Sequence, residues 1–64
     1  MSPLKKAKEA LKQAGYEVKR QDGKHDIYFN PKLKCMIPLK RHDFNDNDLD
    51  YIRKEIKQNE RRRG

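Results

Sequence analysis

The sequence predicts an α+β domain running helix–strand–strand–strand–helix, with both helices on one face of a three-stranded antiparallel sheet. Three observations predict it. Apolar residues recur at helical spacing near both ends of the chain, at Leu4, Ala7, Leu11 and Ala14 and again at Leu49, Ile52 and Ile56. Between them lie three short β-type runs. Asp22-Gly23 and Asn30-Pro31, both turn-forming pairs, separate those runs. Two helices with one apolar stripe each share a sheet face most economically, which leaves the other face open.

Ser2-Pro3 is a helix start, a hydroxyl cap followed by proline at the first helical position. Gly15 suits the left-handed residue that ends such a helix, so the first helix spans about 3–14. Lys5, Lys8 and Lys12 form a basic stripe beside its apolar face. Such a stripe is a solvated face first and a phosphate-contacting one second. Tyr16 to Gln21 alternates as a half-buried strand, with Tyr16, Val18 and Arg20 on one side. Asp26 to Asn30 makes the second strand, after a tight Asp-Gly turn. Lys34 to Leu39 makes the third, with Cys35, Ile37 and Leu39 inward and Pro38 confined to an edge or to the strand's end. Asn45 caps the last helix, with Asp46 and Asp48 in its positive first turn and Phe44 and Leu49 as a staple. That helix is expected over about 46–59, and Glu60 to Gly64 is expected to fray.

Sixty-four residues make one domain, 1–64, with a thin core, and 42% of them are charged. The net charge of +7 favours an anionic partner, nucleic acid ahead of membrane. It is uneven. Residues 1–41 carry +7, residues 42–50 carry −4 and residues 51–64 carry +4. The single Cys35 forms no internal disulfide and reads as an inert core thiol. No apolar run approaches the length that spans a bilayer, and no signal peptide is visible, so a cytoplasmic protein is expected.

The chemistry centres on His25, at the mouth of the first hairpin with Lys24 beside it. Histidine is the side chain whose ordinary pKa lets it exchange a proton near neutral pH. The plainer reading also stands, because His25 shares strand parity with Ile27 and Phe29 and so leans toward the core. His42 reads as a surface loop residue. Two histidines and one cysteine in separate places make no zinc set, and the aspartates of 43–50 lack a calcium loop's glycine and terminal glutamate. No metal and no cofactor is expected.

Several segments together resemble the HicA family, small toxins of type II toxin–antitoxin pairs that act as mRNA interferases. Leu11-Lys12-Gln13-Ala14-Gly15-Tyr16 is similar to the family's helix end running into an aromatic. Gly23-Lys24-His25, followed by Ile27, an aromatic and Pro31, resembles its Gly-Ser-His hairpin. Ile37-Pro38 resembles its third strand and Leu49 to Gln58 its last helix. The departure is Lys24, where the family usually has serine.

The resemblance implies a fold like the double-stranded-RNA-binding domain, a catalytic histidine at His25 and a HicB-like antitoxin as partner. RNA carries its own nucleophile, so a base with cations on the phosphate suffices for cleavage. Lys24 and Arg20 are the candidates for holding that phosphate, with Lys5, Lys8 and Lys12 extending the contact to RNA. The expected function is thus a ribonuclease toxin cleaving mRNA. The rivals are a non-catalytic double-stranded-RNA-binding module of the same topology and a DNA-binding or accessory interaction protein.

Overall fold

In the computed structural model, which describes residues 1–62, the chain runs α1 (Pro3–Gln13), β1 (Glu17–Asp22), β2 (His25–Asn30), β3 (Cys35–Lys40) and α2 (Asp46–Arg61). The strands form one antiparallel sheet in the order β1-β2-β3. The predicted architecture is the observed one.

Local chemistry sets the helix ends. Ser2 Oγ accepts from the Lys5 backbone N–H at 3.2 Å, and Pro3 opens the helix. At the other end Gly15, at φ +95°, donates to the Lys12 carbonyl while Tyr16 N–H donates to that of Leu11. These paired bonds make a Schellman motif that turns the chain straight into the sheet. In α2, Asn45 and Asp48 exchange side-chain and backbone hydrogen bonds at 3.1 and 2.9 Å, a complete capping box. The helix runs two residues beyond the predicted end, through Glu60 and Arg61, so those two do not fray. The rest of the expected tail, residues 63–64, lies outside the described residues.

The core gathers Ala7 and Leu11 of α1, Tyr28, Ile37 and Leu39 of the sheet, and Leu49, Ile52 and Ile56 of α2. Tyr16 joins them, 2% exposed. Its hydroxyl lies 3.2 Å from Cys35 Sγ and accepts from Asn59 Nδ2 at 3.0 Å. Burial, with the Cys35 thiol adding to it, pushes that hydroxyl up to about 12.

Two strand readings need correction. All six residues of β1 are exposed, so it is an edge strand lying outside the core and not a half-buried one. It is also bulged. Val18 opposes Tyr28, but Arg20 opposes Ile27, leaving Lys19 as the extra residue. The bulge moves Arg20 to the face opposite Val18.

In β2 the buried residues are Asp26, Tyr28 and Asn30, while Ile27 and Phe29 face the open side half-buried. His25 shares that open side, so parity turns it away from the core. The apolar residues lose this contest because the polar ones have partners inside. Asp26 meets Arg41. Asn30 Oδ1 accepts from the backbone N–H groups of Lys32 and Leu33 at 2.9 and 3.0 Å, and its Nδ2 donates to the Ala14 carbonyl at 3.2 Å. A polar group so satisfied is cheap to bury. On the open face Phe29 is covered instead by the Lys19 ammonium, 4.7 Å from the ring centroid.

The turns differ slightly from expectation. Asp22 pairs with His25, so the two-residue loop is Gly23-Lys24, with glycine at the first central position at φ +48°. Glycine there is the demand of a type II′ hairpin turn. Lys34 belongs to the second turn, at φ +57°, and β3 starts one residue later than predicted. Pro38 does lie on an edge strand. No helix among the described residues is long and apolar enough to cross a membrane.

Candidate nucleic-acid interface

His25 is the first residue of β2, opposite Asp22 on one side and Lys40 on the other. It is exposed. It opens onto a cleft of about 220 Å³ between the sheet's end and the first turns of α2. Lys40, Asp48 and Tyr51 supply the cleft's other polar groups, over an apolar floor of Pro38, Phe44 and Ile52.

Lys40 is anchored there, its Nζ 3.3 Å from Asp48 Oδ2. The Asn45 backbone N–H, with Lys40 helping, holds the Asp48 carboxyl below its ordinary range. The capping box of α2 therefore also fixes one wall of the cleft.

Arg41 fixes the hairpin that carries His25. Its Nη1 donates to the buried Asp26 carboxylate at 3.0 Å, its Nη2 donates to the Gly23 carbonyl, and its backbone N–H donates to the Lys24 carbonyl at 3.1 Å. One residue of the connector thus ties down both loop residues and the second residue of β2. The guanidinium fork can make both side-chain bonds at once, whereas a lysine ammonium on a flexible stem cannot hold that geometry. Arg41→Lys should lower stability by about 1.5–3 kcal/mol, the scale of one charge-assisted hydrogen bond. Amide exchange at residues 22–25 should rise with it. Urea unfolding and hydrogen exchange check this, and an unchanged hairpin would show that the clamp is idle.

The structure separates the other expected contacts. Lys24 sits exposed at the hairpin tip, next to His25 in sequence but outside the residues lining its cleft. Arg20 stands on the open sheet face, loosely paired with Asp22 at 3.8 Å. Lys5, Lys8 and Lys12 line a second groove of about 380 Å³, between α1 and the start of β1, together with Glu9, Glu17, Val18 and Tyr28. His42 is exposed in the connector, and Cys35 is half-buried against the core. Among the described residues no three His, Cys, Asp or Glu side chains are grouped to hold a metal.

Lys40, Arg41 and Tyr51 were missed from the sequence. Lys40 was within reach, since a four-residue second turn pairs it across from His25. Tyr51 gave no signal, because it lies off the buried stripe of α2. No family model matches the chain, and no curated protein or solved structure matches it.

Proposed function

We propose that the chain is an RNA endonuclease of the HicA kind, with His25 as the proton-transfer group. The supporting observation is the exposed His25 on a clamped hairpin, with the anchored Lys40 ammonium sharing its cleft. In this reading His25 takes the proton from a ribose 2′-hydroxyl. The 2′ oxygen then bonds to the adjacent phosphorus as the bond to the 5′ oxygen breaks, and the departing 5′ oxygen takes a proton from water while His25 keeps the one it removed. The products are a 2′,3′-cyclic phosphate and a 5′-hydroxyl end. Lys40, with Lys24 at the hairpin tip, stabilises the charge gathering on the phosphate oxygens. A second chain, the HicB-like antitoxin, silences the site by burying His25 and facing the basic surface with acidic groups.

The test is incubation of the purified protein with RNA in the presence of a chelator, followed by analysis of the new ends. Cleavage that persists and leaves cyclic phosphates supports the reading, because the nucleophile belongs to the substrate. Intact RNA, or 5′-phosphate ends, would count against it. One observation favours a second reading, a non-catalytic binder of double-stranded RNA. The Lys5, Lys8 and Lys12 stripe lies in a groove apart from His25, as a module that only grips phosphates would have it.

A further inference from the structure

We propose that the cleft beside His25 holds one unstacked nucleobase against the ring of Tyr51, so that the substrate is single-stranded. This deepens the nuclease reading and rests on it.

Tyr51 is 60% exposed, although α2 has a complete apolar stripe without it. Its ring stands at the rim of a cleft whose floor is Pro38, Phe44 and Ile52. An aromatic edge over an apolar floor suits a flat, weakly polar ring. The volume, about 220 Å³, lies below the ~300–1,000 Å³ of pockets for drug-sized ligands, in keeping with a group as small as one base. Charge sets the direction in which a nucleotide enters. Asp48 is the one carboxylate lining the cleft, on its α2 side, and Asp46 and Asp50 add negative charge to the same turns outside it, so that side favours a neutral base over a phosphate. On the sheet side Lys24, exposed at the hairpin tip, attracts the phosphate, with the Asp48-paired Lys40 ammonium beside His25 as a second donor. The nucleotide therefore lies with its base toward α2 and its phosphate toward the hairpin, where His25 stands between them. A base inside a duplex is stacked and paired and cannot enter such a cleft, whereas a single-stranded one splays onto an aromatic ring at little cost.

The chain contains no tryptophan, so Tyr51→Trp places a single reporter at the rim. Titration uses a 2′-O-methyl RNA strand, which cannot be cut because the attacking hydroxyl is capped. The single strand should quench the indole emission. An abasic strand of equal length, and a duplex of the same sequence, should not. In Tyr51→Ala, affinity for the single strand should fall about tenfold, the usual loss for one base–aromatic stack, with duplex affinity unchanged. Equal quenching by the abasic strand or the duplex would overturn the proposal. So would single-strand affinity in Tyr51→Ala within twofold of the unmodified chain. These are binding measurements, so they separate from the cleavage reading. Full-rate cutting by His25→Ala would remove that reading while the quenching result stood.

Discussion

Replacing His25 with alanine should abolish RNA cleavage while leaving a folded protein. Proton transfer by a positioned side chain is typically worth 10²–10⁴ in rate, and a loss of about that size is expected. The fold should survive because His25 is exposed and its strand position faces away from the core. Surface substitutions of this kind usually change stability by less than about 0.5 kcal/mol. The hairpin is held by Arg41 through Asp26 and the carbonyls of Gly23 and Lys24, none of which needs the imidazole. Circular dichroism and thermal unfolding establish the fold, and a gel assay on a defined RNA gives the rate. Growth after induced expression in a bacterium provides a second reading. A folded His25→Ala protein that cuts RNA at the original rate would end the catalytic assignment and leave the RNA-binding module.

The largest expected effect on stability is that of Asn30→Ala. This side chain joins three parts of the chain, the end of α1 through the Ala14 carbonyl, β2 through its own backbone, and the second turn through Lys32 and Leu33. Gly15 packs beside it, where a Cβ would make ordinary contact with Asn30 Nδ2 at 3.5 Å. Truncation removes all three hydrogen bonds and leaves two N–H groups and a carbonyl to find water at a site that is 3% exposed. A buried group left without its partner costs about 1–3 kcal/mol, and partial rehydration of the turn limits the total to about 2–4 kcal/mol. A domain of this size loses about 4–8 °C in Tm for each kcal/mol, so a fall of roughly 8–32 °C is expected. Asn30→Asp keeps the two accepted bonds and should fall between. Equal melting temperatures for Asn30→Ala and the unmodified chain would show that the turn is held some other way.

What the sequence made legible were features settled between near neighbours. The Ser2 cap, the Gly15 termination and the Asn45 cap each join residues a few positions apart, and each formed as read. The facing of β2 was not legible. It depends on Arg41, fifteen residues from Asp26, and on Ala14, sixteen residues from Asn30. A hydrophobicity pattern counts Ile27 and Phe29 as inward because it cannot see that distant partners make Asp26 and Asn30 cheaper to bury. The bulge at Lys19 was hidden for a related reason, since it is set by pairing across to β2 and leaves no mark in the composition of β1. The candidate site divides in the same way. His25 was visible through its hairpin and Lys40 was within reach through the second turn, while Tyr51 joins them only when α2 packs beside β3.

The bulge has a consequence for how copies of this chain meet. A strand exposed along its whole length at a sheet edge is a template on which another chain's strand can add, the first step toward fibres and precipitates. β1 is such a strand, but four of its six residues are charged, and its ladder breaks at Lys19 after only two pairs. A bulge sharpens the local twist, so a straight incoming strand would lose register within a few residues. At the opposite edge Pro38 has no N–H to offer. Both borders of the sheet are thus poor templates, and strand addition from a second copy is disfavoured at either one.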